Sequence, residues 1–140
     1  MLDGRGPATT RIRPPRAYGR TVRRERFNKL VEEALNTLPA KFRKRIKNVA
    51  VVVEDLPPQH GLHVCGESGE DLLMGVFEGV PATEKSVWDA QRGPDRIVLY
   101  QKNIEAACET EDEIREEVRL TVLHELGHYF GMTEDQLEDV

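Results

Sequence analysis

The fold of this chain follows from one stretch, HELGHYFG at residues 124–131, which is followed by Met132-Thr133-Glu134. On a helix, side chains four residues apart project from one face, so His124 and His128 can present two imidazole nitrogens to one metal ion. Glu125 lies beside this pair, where it can hold a water molecule as a general base. The pattern predicts a catalytic zinc site, which uses three protein ligands and leaves a fourth position open.

The residues before the motif are typical of a long helix that carries it. Residues 110–113 read Thr-Glu-Asp-Glu, which has the form of a capping box, and Gly131 stands where a C-terminal cap is expected. An apolar stripe at three- to four-residue spacing lies between them. It consists of Ile114, Val118, Thr121, Val122 and Leu126.

The position of the third zinc ligand can be narrowed by counting. One class of zinc peptidases takes it from a second helix well downstream, but only 12 residues follow His128. In the pattern HExxHxxGxxH, a glycine turn brings in a ligand ten residues after the first histidine. Here Glu134 occupies that position, and a carboxylate is an accepted zinc ligand. Glu134 is the predicted third ligand, the adjacent Asp135 is the alternative, and a solvated surface acid is the remaining interpretation.

Four stretches of the chain together resemble the minimal zincin-like metallopeptidases, which are small bacterial single-domain proteins with HExxHxxG followed by an acidic residue. The resemblance implies a zinc site on a compact α+β fold and covers most of the chain from about Arg20 to Glu134. Two departures are a longer basic N-terminus and a histidine-containing loop at residues 57–71. The stretches are LPAKFRKRIKNVAVVVED (38–55), GVFEGVP (75–81), PDRIVLY (94–100) and VRLTVLHELGHYFG (118–131).

Charge is divided unevenly along the chain. Residues 1–48 carry 14 Lys and Arg against 4 Asp and Glu, whereas residues 49–140 carry 6 against 21. Residues 1–20 contain Gly, Pro and five Arg without periodicity, which predicts a disordered basic tail ahead of a metallopeptidase domain at 21–140. A solvated tail, or one that folds back on the acidic half, is favoured over nucleic-acid binding because no aromatic interleaving accompanies the charge. No apolar run fits a signal peptide or membrane span, so we expect a cytoplasmic protein.

The loop at residues 57–71 contains His60, His63 and Cys65, which offer three potential ligands within six residues. A second metal site there is possible in principle, but ligation needs a defined turn and a fourth ligand. Surface loop residues, or residues that reach the active-site cleft, are the favoured interpretation. Cys65 and Cys108 have no close spacing and are interpreted as thiols.

The remaining pattern predicts an α+β domain with three to four strands between an N-terminal helix and the motif helix. Helices are expected at residues 21–38 and 40–46. Strands are expected at residues 49–54, 72–78 and 96–100, and the first of them reads as a buried strand because of its β-branched run. Loops are expected at residues 55–71 and at residues 79–95, where Trp88 would be an anchor, and residues 101–109 would link the last strand to the motif helix.

The sequence therefore predicts a zinc-dependent metallopeptidase, a hydrolase. Glu125 would take a proton from a zinc-activated water and return it to the leaving amine. The oxyanion would need a further stabiliser. Tyr100, Tyr129, His60 and His63 are the candidates, and Tyr129 is disfavoured because it directly follows His128. By resemblance alone, the strand at residues 97–100 would pair with extended substrate by β-augmentation.

The alternative prediction is a non-catalytic metal-binding or interaction module. Only six residues follow Glu134, whereas larger zincins build part of the substrate cleft beyond the third ligand. A second copy or a partner protein would then complete the cleft. Glu125 favours the enzyme, because a purely structural zinc site is closed by four protein ligands and does not need a general base.

Overall fold

The computed structural model describes residues 11–16, 19–58, 72–79 and 95–131 of the chain. Four consecutive strands lie between two pairs of helices, and the predicted α+β class is confirmed. In chain order the elements are β1 (Ile12–Arg13), α1 (Arg24–Leu35), α2 (Ala40–Ile46), β2 (Ala50–Glu54), β3 (Leu72–Leu73), β4 (Gly75–Glu78), β5 (Arg96–Tyr100), α3 (Gln101–Ala106) and α4 (Glu111–Tyr129).

Strand β5 is the centre of a mixed three-stranded sheet. It pairs in parallel with β2, with Val52 opposite Val98, and antiparallel with β4, with Phe77 opposite Ile97. Because side chains alternate across a strand, Ile97 and Leu99 enter the main core, whereas Val98 and Tyr100 pack on the other face. A second, two-stranded sheet pairs β1 with β3.

Helix α4 packs against both α1 and the sheet, and so forms the centre of the domain. The predicted apolar stripe is buried over its full length, and Ile114, Val118 and Val122 are completely inaccessible to solvent. Burying one such aliphatic side chain stabilises a fold by about 1.5–3 kcal/mol. The helix that carries the predicted metal-binding motif is therefore held along most of its length by the hydrophobic core.

Several predicted elements differ from the structure for identifiable reasons. The predicted buried strand at residues 49–54 is β2, which is an edge strand and only half-buried within the described residues. The predicted strand at 72–78 is interrupted at Met74, whose N–H donates to the Arg11 carbonyl and whose carbonyl accepts from the Tyr100 N–H. The chain passes there from one sheet to the other. The linker expected at residues 101–109 contains helix α3.

Part of the predicted disordered tail is bound to the domain. Besides the pairing of β1, the Arg16 N–H donates to the Ala106 carbonyl at 2.7 Å, and the Arg20 N–H donates to the Cys108 carbonyl at 2.7 Å. Gly19 approaches α3 so closely that a Cβ there would lie 2.8 Å from the Ala106 Cα. The predicted disorder is therefore wrong for residues 11–16 and 19–20. Their backbone groups pair with the domain, which amino-acid composition does not reveal. The domain boundary at residue 21 stays a prediction.

Other predictions fall on residues outside the described ranges. They concern the loop residues His60, His63 and Cys65, the anchor Trp88, and the acidic residues Glu134 and Asp135. Among the helices in the described ranges, none has both the length and the apolar character that crossing a membrane requires.

Candidate active site

Helix α4 begins and ends at the residues that its sequence signals predict. At its start, the Thr110 hydroxyl accepts a hydrogen bond of 3.1 Å from the Glu113 N–H. The Glu113 carboxylate accepts from the Glu109 N–H at 2.6 Å, one residue before the Thr110 N–H that a standard capping box would use. At the other end, Gly131 has a φ of 77°, the left-handed conformation of a helix C-terminal cap.

The structure brings His124 and His128 together on one face of α4, as their spacing predicts. Their ring centroids are 4.7 Å apart and the ring planes are inclined at 66°. Both residues are half-buried, so their rings lie at the boundary between the core and solvent. This arrangement is compatible with both imidazoles binding one metal ion.

Glu125, which follows His124 in the sequence, is buried, with only 3% of the residue exposed. Its Oε1 accepts a hydrogen bond of 3.1 Å from the backbone N–H of Phe77 on β4. Its Oε2 is also buried and has no hydrogen-bond partner within the described residues. Burial raises the pKa of Glu125 to about 8, and the Phe77 N–H opposes this rise only in part. A buried carboxyl oxygen without a partner is costly in a folded protein.

Strand β4 reaches Glu125 because Gly75 lets it lie close to its neighbours. A Cβ at this position would lie 2.7 Å from the Val98 carbonyl oxygen and 3.1 Å from the Thr121 Cγ2 on α4. Further along β4, the ring of Phe77 packs against the ring of Tyr129 with centroids 4.7 Å apart. The strand is therefore fixed against the part of α4 that carries the motif.

Two of the predicted oxyanion stabilisers are placed elsewhere. The Tyr129 hydroxyl donates to Asp95 at 2.9 Å in a buried contact, consistent with its being disfavoured. The Tyr100 side chain packs with Leu73 and Val98 on the sheet face away from the main core, in which α4 lies. His60 and His63 are outside the described residues.

The role that the resemblance assigned to the strand at residues 97–100 is wrong for this chain. That strand is β5, and both of its edges are occupied, one by β2 and the other by β4. Substrate cannot add to a strand whose backbone groups already pair on both sides. Strand β4 lies at the edge of this sheet and contacts helix α4.

A second buried glutamate on α4 was not singled out by the sequence. Glu117 is 3% exposed, and it accepts hydrogen bonds from the guanidinium groups of Arg11 and Arg13 and from the Thr121 hydroxyl. In the sequence it resembles the surface acids around it. Its burial depends on two arginines about a hundred residues away in the chain, which no local pattern could indicate.

The donor set of the described residues fits zinc in part. Imidazole nitrogen is a preferred zinc donor, and the buried Oε2 of Glu125 is the kind of atom that a water at a metal would satisfy. Within the ranges that the structure describes, no group of three or more potential ligands is assembled. A zinc site with three protein ligands at these histidines would take its third ligand from outside these ranges, where Glu134 and Asp135 lie.

Comparison with known proteins gives a family and a fold. A family described as zincin-like metallopeptidase matches residues 46–140. A solved structure titled as a conserved hypothetical protein from Thermus thermophilus is similar, with a TM-score of 0.51 and 24% sequence identity. The similarity covers 75% of this chain and 91% of the other chain, and at this identity it supports the fold alone. A search of curated proteins finds no match.

Proposed function

Since this chain belongs to the zincin-like metallopeptidase family, we propose that it hydrolyses peptide bonds at a zinc site with Glu125 as the general base. The family implies zinc binding and peptide substrates. The observation that carries the proposal is the state of Glu125. Glu125 directly follows the proposed ligand His124 in the sequence. One of its carboxylate oxygens accepts a hydrogen bond from the Phe77 N–H, while the other is buried and has no hydrogen-bond partner among the described residues.

We assign His124, His128 and Glu134 as the zinc ligands, with Asp135 as the alternative to Glu134. The end of α4 supports a ligand from this region. If the helix continued through residue 134, Glu134 would lie about 9 Å beyond His128 along the axis, too far to share an ion with it. Gly131, with its positive φ, ends the helix first and allows the chain to change direction.

The chemistry divides between the metal and the chain. Zinc held here would act as a Lewis acid that lowers the pKa of water and polarises the peptide carbonyl. Glu125 supplies the proton transfers. The Phe77 N–H holds Oε1, so Oε2 is the oxygen that accepts the proton from the attacking water. A neighbouring positive charge favours the carboxylate form of Glu125 against the effect of burial. The same oxygen then returns the proton to the leaving amine nitrogen.

The proposal is tested by two substitutions with different expected results. Glu125→Gln is nearly isosteric and can still accept from the Phe77 N–H, but its amide cannot accept a proton. It should retain zinc and the fold while hydrolysis falls. Glu134→Ala removes a proposed ligand, so zinc content and hydrolysis should fall together. Zinc is measured by elemental analysis after purification without chelator, and hydrolysis is measured on a mixed peptide library.

Asp135→Ala is the matched control for Glu134→Ala, because it removes a neighbouring carboxylate of the same charge. Asp135→Ala should keep both zinc and hydrolysis. If Asp135→Ala loses both and Glu134→Ala keeps them, Asp135 is the third ligand. His128→Ala should lose zinc whichever acid is the ligand. If the wild-type protein binds zinc but hydrolyses nothing in the library, and Glu125→Gln behaves identically, the peptidase assignment is wrong.

A further inference from the structure

Helix α2 carries a cluster of cations. Several arginines in other elements form ion pairs across elements, such as Arg26 with Glu111, Arg96 with Glu78 and Arg115 with Glu33. On α2 and the residue after it there are five cations and no acid. Within the described part of the chain, none of the five forms an ion pair with a carboxylate. They are Lys41, Arg43, Lys44, Arg45 and Lys47.

Three of these cations, Arg43, Lys44 and Lys47, line a groove between α2 and the C-terminal half of α1, which we call the α2 groove. Its volume is about 480 Å³. Its lining combines these cations with apolar side chains, among them Leu35, Ala40 and Ile46. It also contains one acid, Glu32, which forms an ion pair with Lys29 on the same helix, so the cations of the lining outnumber the acid by three to one. A ligand that fits it must offer apolar groups to the lining and negative charge to the rim.

The α2 groove belongs to the element that meets the end of the motif helix. The Arg45 guanidinium lies over the ring of Phe130, 4.6 Å from its centroid. Phe130 is the C-terminal cap of α4 and follows His128 by two residues. Helix α2, which carries the cations of the groove, therefore contacts the end of the helix that carries the proposed active site.

We propose that the α2 groove binds an acidic, partly apolar segment of the polypeptide substrate, separate from the bond that is cleaved. This inference rests on the proposed peptidase function. Residues 49–140 carry 6 Lys and Arg against 21 Asp and Glu, so most of the domain repels an acidic chain. The α2 groove is where such a chain gains complementary charge. A nucleic acid fits less well, because the large hydrophobic side chains exposed in the described ranges are Ile12 and Leu56, neither of which is an aromatic platform for stacking bases.

The test measures binding without turnover. In the zinc-loaded Glu125→Gln protein, a fluorescent peptide of alternating Glu and Leu is titrated at low ionic strength and followed by anisotropy. Lys44→Glu with Lys47→Glu should weaken this binding by about tenfold or more, because two attractive charges become repulsive. Arg23→Glu with Lys102→Glu is the matched control, since it makes the same change in net charge at exposed residues away from the groove. It should weaken binding by less than about threefold.

The proposal is overturned if both double variants weaken binding equally, because net charge alone would then explain the effect. It is also overturned if a Lys-Leu peptide binds equally well, or if a single-stranded oligonucleotide binds more tightly than the Glu-Leu peptide and depends on the same lysines. On the active protein, the groove variant should raise the KM for peptides with an acidic extension and leave neutral peptides unchanged. Absence of all hydrolysis would refute the peptidase function alone, since the anisotropy result does not depend on it.

Discussion

Two glutamates on helix α4, Glu117 and Glu125, have the same side chain and the same exposure of 3%, yet their surroundings differ sharply. Glu117 accepts hydrogen bonds from Arg11, Arg13 and Thr121, so both of its oxygens have partners and its charge is compensated. Glu125 accepts one hydrogen bond, from the backbone N–H of Phe77, and its second oxygen has no described partner.

The difference offers a criterion for separating a structural buried acid from the proposed general base on the same helix. A carboxylate that only supports the fold is expected to have its hydrogen-bonding capacity filled by the protein, because an unfilled one is costly. A carboxylate that must accept a proton needs an oxygen that the protein leaves available. The burial of the two residues is equal, so burial alone does not distinguish them.

The largest difference is expected in catalysis. The substitution of Glu by Gln should lower kcat/KM by about 10²–10⁴-fold at position 125, the usual contribution of a general base. At position 117 the same substitution should leave kcat/KM within about threefold, because that side chain faces the N-terminal segment. The measurement is hydrolysis of one peptide by both variants at equal zinc content. If kcat/KM falls by a similar factor in both variants, Glu125→Gln lowers activity by disturbing the structure of α4 and not by removing a base.

The next effect is on stability and concerns the partners of Glu117. Replacing Arg11 and Arg13 together by Met leaves a buried carboxylate without its cations, and should lower the free energy of unfolding by about 3 kcal/mol. Adding Glu117→Met to this double variant should restore most of the loss, since the charge is then removed as well. Urea unfolding of the zinc-free proteins measures both changes. A triple variant no more stable than the double would show that the arginines act by packing.

The smallest effect is a pH dependence of the free energy of unfolding, which we expect from Cys108, a residue near Glu117. Burial, followed by the charges of Glu117 and Glu113, raises the pKa of Cys108 from its ordinary value of 9.0 to about 12. A thiol whose pKa is raised on folding stabilises the protein below its unfolded pKa, and that contribution is lost as pH rises from 9 towards 12. Between pH 8 and pH 10, the wild type should lose about 1 kcal/mol more than Cys108→Ala.

The control for this thiol is Cys65→Ser, which removes the other cysteine of the chain. Urea unfolding at both pH values should show the wild-type loss in this variant. An equal loss in Cys108→Ala and wild type would mean that Cys108 ionises normally in the folded protein.

The sequence predicted best where structure is determined by neighbouring residues. The bounds of α2 and β5 are those expected, because Pro39 precedes one and a β-branched, apolar run forms the other. The bounds of α4 agree with the signals at Thr110 and Gly131. The placement of His124, Glu125 and His128 on one helix also followed from local signals, namely the capping box, the apolar stripe and the spacing of the motif.

The misses are residues whose state depends on distant partners. Helix α3 contains Gln101 and Glu105, which read as linker residues but are buried and hydrogen-bonded to the backbone of Val22. Glu117 reads as one more surface acid until the arginines of the N-terminal segment are brought to it. The order of strands in a sheet cannot be read from the sequence. The sequence therefore could not show that β5 has a neighbour on each side and cannot pair with substrate.

The hydrogen bond from Phe77 to Glu125 has a consequence for how much this site tolerates mutation. The donor is a backbone N–H, which every amino acid except proline supplies. Substitutions at position 77 can therefore replace the ring that packs on Tyr129 and still keep the backbone N–H that orients Glu125. Phe77→Leu should preserve that contact while Phe77→Pro removes it. The group that holds the proposed general base thus depends on the course of the backbone, and a comparison of side chains among relatives would not reveal it.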